Sequence, residues 1–150
     1  MNQATVTETD QLVRIELERV IRAPIEDVFD ALLEELGPDF ETPDGKPLSL
    51  RLEPRPGGRW YRDLGDDEGH FWGVVQSIKR PTLLELRGPL FMSVPVCNTV
   101  QYRLEQRGDT TVLRLMHLAF GPVTDEMREG MPHGWTHNVD RVAARFGGAR

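Results

Sequence analysis

Cysteine is almost absent from this sequence, which contains one, Cys97, in 150 residues. A single cysteine excludes an internal disulfide, so the burial of apolar side chains has to stabilise the fold. Chains without disulfides are typical of reducing compartments, and we therefore expect a cytoplasmic location.

Basic residues are outnumbered by acidic residues. The chain has 18 lysines and arginines against 24 aspartates and glutamates, which gives a formal net charge of −6. Because the phosphate backbone of DNA or RNA is recognised by a basic surface, nucleic-acid binding is not expected. An anionic membrane surface is disfavoured for the same electrostatic reason.

Long apolar runs are missing as well. No stretch approaches the roughly 20 residues that are needed to span a bilayer. The polar start lacks the basic and apolar regions of a signal peptide. We therefore expect no membrane insertion, and we interpret residues 1–10 as a flexible lead-in to a single domain over residues 11–150.

The first pattern in that domain has a period of two. Val13, Ile15 and Leu17 alternate with charged residues, which predicts a strand with one buried and one wet face. A helix follows after Pro24 and ends at Gly37. Its apolar residues recur at i, i+3, i+4, i+7 and i+11, in one stripe: Ile25, Val28, Phe29, Leu32 and Leu36.

The middle of the chain predicts a series of strands separated by turn residues. We expect them at residues 48–52, 59–64, 70–78, 83–87, 96–105 and 111–120. Because the links have hairpin length, parallel crossovers are excluded and the strands form an antiparallel meander. In the strand over residues 96–105, Asn98 and Tyr102 share a face, whereas Cys97 faces away.

The end of the chain returns to a helical period. Five apolar residues form a tight stripe: Met131, Trp135, Val139, Val142 and Phe146. Gly130 and Pro132 predict a break, so we expect a short turn over residues 124–129, capped by Thr124, and a main helix from Met131. The order of strand, helix, antiparallel strands and final helix predicts an α+β fold.

A long helix laid across a curved sheet does not fill the whole concave space. Large side chains then either line an apolar cavity or plug it. Both interpretations stay open for each of six residues: Trp60, Trp72, Phe91, Tyr102, Met131 and Trp135. We predict that these side chains contact a small hydrophobic molecule.

Two polar residues are further candidates to contact this molecule. His117 lies in the middle of a strand, where it orients a polar ligand group, acts as an acid or base, or serves as a hydrogen-bonded structural residue. Asn98 lies among apolar neighbours and needs a partner if it is buried. That partner is a ligand, a water molecule or the backbone.

Complete catalytic and metal-binding constellations are lacking. His133, His137 and Asp140 have a spacing that suits a metal, but they lie opposite the apolar stripe and should face water. The consecutive Asp66 and Asp67 are typical of a solvated hairpin tip. We predict no catalytic residue, no metal site and no cofactor.

Several segments, in this order along the chain, resemble SRPBCC (START-like) proteins. They are residues 20–32 (VIRAPIEDVFDAL), 57–60 (GGRW), the strand from Gly73 to Pro81, the strand from Thr111 through His117 to Phe120, and Gly134-Trp135. The most similar branch is the group related to the activator of heat-shock protein 90 ATPase. The resemblance implies a helix-grip fold, with about seven antiparallel strands curved around a long C-terminal helix and often a deep apolar cavity.

The resemblance leaves several functions open, because such relatives include lipid carriers, plant hormone binders, polyketide cyclases and chaperone-linked domains. The favoured hypothesis is non-enzymatic binding of an apolar or amphipathic small molecule between the sheet and the last helix. A cyclase- or aromatase-like enzyme that uses His117, Asn98 and either Arg62 or Gln76 is the first alternative. A chaperone- or stress-linked interaction module is the second, and homodimerisation is left open.

Overall fold

The computed structural model describes residues 12–147. The predicted lead-in, residues 1–10, lies outside this range. Within the range the chain forms two helices and seven strands, in the order β1 (Leu12–Ile21), α1 (Ile25–Leu36), β2 (Arg51–Leu52), β3 (Arg59–Gly65), β4 (Glu68–Lys79), β5 (Leu83–Gly88), β6 (Cys97–Arg107), β7 (Thr110–Phe120) and α2 (Asp125–Ala144).

The seven strands form one curved sheet in the order β1-β7-β6-β5-β4-β3-β2. Strands β2 to β7 make a meander, and β1 pairs with β7, so that the first and the last strand lie side by side. All six pairings are antiparallel. The predicted α+β helix-grip fold is thereby confirmed.

Both helices bury their apolar stripes against this sheet. Pro24 precedes α1, whose first turn carries Glu26 and Asp27 near the positive end of the helix dipole. The main core joins α1 and α2 to β3 through β7, and a smaller cluster lies beneath the start of α2. No helix in the described part of the chain is long and apolar enough to cross a membrane.

The predicted interruption of the last helix is wrong. α2 runs without a break from Asp125 to Ala144 and contains Pro132. Thr124 does cap it, because its hydroxyl accepts the Met127 amide at 3.1 Å. A proline inside a helix removes one backbone hydrogen bond. The helix nevertheless continues past Pro132, because the burial of Met131 and Trp135 on either side of the proline offsets the lost hydrogen bond.

Candidate functional site

A groove opens between the first half of α2 and the sheet and has a volume of about 610 Å³. The α1–β2 connection, β4 and the β5–β6 connection supply its other walls. Apolar side chains dominate its lining: Phe40, Leu48, Trp72, Phe91, Met127, Met131 and Trp135. The remaining lining residues are Glu41, Thr42, Pro43, Thr124, Glu126, Gly130 and Gly134. These fourteen residues define the groove.

A β-bulge places Trp72 at the centre of an aromatic cluster. Trp72 is the extra residue of this bulge, because Trp60 pairs with Gly73 whereas Tyr61 pairs with Phe71. The Trp72 ring lies 5.3 Å from the Phe40 ring and 6.2 Å from the Phe91 ring, measured between centroids. The edge-to-face contact with Phe40 and the tilted contact with Phe91 together form the aromatic wall of the groove.

The eight predicted ligand-binding residues divide into two sets. Trp72, Phe91, Met131 and Trp135 line the groove. The other four are buried outside its lining: Trp60, Asn98, Tyr102 and His117. Trp60 packs edge-to-face on Trp72 at 5.2 Å, and its indole nitrogen donates to the Leu36 carbonyl at 2.7 Å. Trp60 therefore supports the aromatic wall from within the core.

A hydrogen-bonded relay runs from the groove into the sheet. The Trp135 indole N–H donates to Nδ1 of His117 at 2.8 Å, and Nε2 of His117 lies 2.7 Å from the Asn98 amide oxygen. Because Nδ1 accepts, the proton of the neutral ring is on Nε2 and is donated to Asn98. The Asn98 amide nitrogen in turn donates to the Gly88 carbonyl at 3.1 Å.

The relay holds His117 in its neutral form. The side chain is fully buried, and this burial lowers its pKa from the ordinary 6.5 to about 4. Both ring nitrogens are already bonded to protein groups. The relay therefore connects α2 through β7 and β6 to the end of β5, and it leaves His117 no proton to exchange with a molecule in the groove.

Tyr102 is committed in a similar way. Its hydroxyl donates to the Asn138 amide oxygen at 2.8 Å, and both side chains are buried. Burial raises the pKa of Tyr102 well above its ordinary value, so the phenol stays neutral. Asn138, which the sequence did not single out, thus fixes α2 on β6.

A second group that the sequence analysis missed is a cluster of charges where α2 meets the end of α1. Glu35 is 3% exposed and accepts from Arg141 at 2.7 Å and from Arg145 at 2.8 Å. Arg141 also donates to Glu41 at 2.8 Å, and Arg145 donates to Asp39 at 2.7 Å. We call these five residues the charge clamp. Because Glu41 lines the groove, the clamp holds one of its walls.

The signal for the clamp was present in the sequence. On the wheel of α1, Glu35 lies only about 20° from Val28, within the apolar stripe. A carboxylate in such a stripe has to be paired when it is buried. Arg141 in the last turn of α2 and Arg145 directly after that helix supply its partners.

The three residues with metal-like spacing on α2 have different partners, and one of them, His137, contacts the groove-lining Glu41. The metal-like spacing on α2 is dispersed, because His137 contacts Glu41 at 3.1 Å, Asp140 pairs with Arg19 at 2.9 Å, and His133 is exposed. No group of three histidine, cysteine or acidic residues placed to hold a metal occurs within residues 12–147. Cys97 is exposed.

Comparison with known families and structures relates the whole fold to other proteins. The model of a family described as Activator of Hsp90 ATPase homolog 1-like protein matches residues 22–147. No curated protein matches the sequence.

Solved structures with the same fold include proteins from several bacteria and a di-domain protein from a biosynthetic pathway. Protein MLL2253 from Mesorhizobium loti is 21% identical, with a TM-score of 0.68 over 88% of this chain and 95% of that one. Protein CV1439 from Chromobacterium violaceum is 17% identical, with a TM-score of 0.69 over 89% and 96%. The di-domain ARO/CYC StfQ from the steffimycin biosynthetic pathway is 14% identical, with a TM-score of 0.66 over 91% and 51%. At these identities the likeness concerns the fold alone.

Proposed function

The chain belongs to the activator of Hsp90 ATPase homolog 1-like family and has the SRPBCC fold, and from this premise we propose that it binds an apolar or amphipathic small molecule without transforming it. The fold points to a ligand-binding or cyclase-like protein. The groove between α2 and the sheet is the proposed binding site.

The observation that carries this proposal is the size and the apolar character of the groove. A volume of about 610 Å³ falls within the range of roughly 300–1,000 Å³ that is common for small-molecule sites. Seven of its lining residues are apolar, and four of these are aromatic: Phe40, Trp72, Phe91 and Trp135. An apolar ligand that entered the groove would be removed from water, which is the main driving force for such binding.

The polar groups favour binding over cyclase-like catalysis. Enolate chemistry needs donors or a base within reach of the substrate. His117 is instead bonded to Asn98 and Trp135, and Tyr102 is bonded to Asn138, inside the core. In the lining, the Thr124 hydroxyl caps α2 and Glu41 is held by Arg141, which leaves the exposed Glu126 outside these pairs. A single carboxylate without a positioned donor beside it supports a carrier or sensor of the ligand rather than an enzyme.

Replacing Phe91 by alanine is expected to weaken binding of a neutral hydrophobic dye such as Nile red by roughly tenfold. Phe91 is 45% exposed in the free protein and lines the groove, so its ring becomes buried mainly when a ligand is present. The loss of about half of a phenylalanine side chain's transfer free energy corresponds to that factor. A fluorescence titration of the dye measures it.

Phe71→Ala is the matched control, because Phe71 is 47% exposed but does not line the groove. This variant should bind the dye like the unmodified protein, and both variants should unfold at similar denaturant concentrations. Equal losses in the two variants, or no saturable binding by the unmodified protein, would contradict the proposed site.

A further inference from the structure

The lining of the groove carries charge of one sign. Its two ionisable residues are Glu41 and Glu126, and no lysine, arginine or histidine belongs to the part of the lining that the structure describes. A ligand that bears a carboxylate or a phosphate would therefore find no basic side chain in this lining to pair with. Placing like charges next to a ligand is a general means of rejecting it.

The two glutamates differ in how far their charge is compensated. Glu41 accepts from Arg141 at 2.8 Å and contacts His137 at 3.1 Å, so its charge is shared with the charge clamp. Glu126 lies exposed in the first turn of α2, where the neighbouring Arg128 pairs with Asp125 at 3.3 Å instead. Glu126 is thus the carboxylate that a bound molecule can use.

The start of α2 does not offset this charge. A helix N-terminus attracts anions through its unpaired amides and its dipole. Here Thr124 already caps the Met127 amide, and Asp125 and Glu126 fill the first turn with two negative charges. The chain as a whole has a net charge of −6, which further favours cations near the mouth of the groove.

The aromatic wall suits a cation as well. Aromatic rings attract an ammonium group through the negative potential of their faces, most strongly in tryptophan and at sites withdrawn from water. Trp72 is 5% exposed and packs against both Phe40 and Phe91 in the cluster. The groove therefore combines an aromatic surface for an apolar body with carboxylates for a positive group.

We infer that the groove selects a cationic amphiphile, a molecule with an apolar or aromatic body and an ammonium group directed toward Glu126. This inference rests on the proposed function, since it specifies the class of ligand for the same site. It sets this protein apart from a carrier of fatty acids or other anionic lipids, whose head groups the acidic lining repels.

Three probes with one naphthylmethyl body test the inference. The body carries a trimethylammonium group, a neutral hydroxyl group or a carboxylate group, and binding is followed by isothermal titration calorimetry. The ammonium probe is expected to bind at least roughly tenfold more tightly than the carboxylate probe. The difference should shrink when the salt concentration is raised from about 0.05 M to about 0.5 M, because screening weakens exposed charge pairs.

Glu126→Gln is the diagnostic variant. It should weaken binding of the ammonium probe by roughly twofold to fivefold, the range for a solvent-exposed ion pair, and leave the neutral probe unchanged. Glu129→Gln is the matched control, because Glu129 is exposed on the same helix but does not line the groove. That variant should bind all three probes like the unmodified protein.

The outcomes distinguish a failure of the cation selectivity from a failure of ligand binding itself. If the neutral or the carboxylate probe binds as tightly as the ammonium probe, or if Glu126→Gln behaves like Glu129→Gln, the selectivity for cations is overturned while the binding function stands. If none of the three probes binds to the folded protein, the proposed function itself fails and the inference fails with it.

Discussion

Replacing Arg141 and Arg145 together by methionine is expected to lower the free energy of unfolding by about 3–5 kcal/mol. Both guanidinium groups bond to the carboxylate of Glu35, at 2.7 and 2.8 Å, and this carboxylate is 3% exposed. Methionine keeps much of the apolar stem of arginine but removes the positive charge. The double variant therefore leaves a buried carboxylate without a partner, which is among the costliest changes in a protein core.

Urea denaturation at pH 7 measures this loss. Arg114→Met is the control, since Arg114 pairs with Glu18 at 2.9 Å and with Glu105 at 3.3 Å on the exposed face of the sheet. Surface pairs of this kind contribute at most about 1 kcal/mol. Adding Glu35→Gln to the double variant should recover part of the lost stability, because the orphaned charge is then removed. A double variant that is no less stable than Arg114→Met would mean that water reaches Glu35.

The charge clamp also couples stability to the groove. Arg141 bonds simultaneously to Glu35 at the end of α1 and to Glu41 in the groove lining. The same side chain thus stabilises the packing of the two helices and positions the wall that the α1–β2 connection forms. Mutations in the clamp should consequently change ligand affinity and global stability together.

The sequence predicted the elements whose side-chain period is unbroken. β1, α1, β6 and β7 lie where the alternating or helical patterns place them, within one or two residues at each end. The fold followed from their order, because one strand, one helix, six further strands in a meander and a final amphipathic helix leave few other arrangements.

The strand predicted over residues 48–52 shows where such patterns mislead. Leucines alternate there, but only Arg51–Leu52 form a strand. The amides of Leu48 and Leu50 bond instead to the carbonyls of Phe40 and Gly37, at 2.8 and 3.0 Å. Alternation reports which side chains are buried, but it does not report which backbone group completes the hydrogen bond.

The candidate site was predicted less completely than the fold. Residue type marked eight side chains, but it did not separate those that line the groove from those that are buried behind it. The position of Trp72 depends on a β-bulge, and a one-residue insertion changes which side chains share a face. The relay through Asn98, His117 and Trp135 joins three segments that are distant in sequence, so no local sequence pattern predicts it.

Acidification from pH 7 to pH 4 is expected to cost about 3 kcal/mol of stability through His117 alone. Its pKa is about 4 in the folded protein and 6.5 in an ordinary environment, so the unfolded chain takes up the proton first as the pH falls. Above about pH 6.5 the ring is neutral in both the folded and the unfolded chain, so His117 contributes no pH dependence to the stability. The loss accumulates between about pH 6.5 and 4, and it ceases below the folded pKa.

His117→Gln isolates this contribution, because a glutamine amide can still accept from Trp135 and donate to Asn98 but does not titrate. Unfolding free energies measured from pH 7 to pH 4 should fall less steeply in this variant, by up to about 1.4 kcal/mol per pH unit. His133→Gln, which changes an exposed histidine, should follow the unmodified protein.

Parallel curves for His117→Gln and the unmodified protein would show that the folded protein accepts the proton and that the relay does not hold the ring neutral. A steeper fall of stability in the unmodified protein than in His117→Gln would also show whether His117 is suited to act as an acid or base in the groove. An acid or base works best with a pKa near the working pH, and a histidine whose pKa is about 4 in the folded protein does not meet this condition near pH 7. The pH dependence of stability thus tests the non-enzymatic interpretation without any substrate in hand.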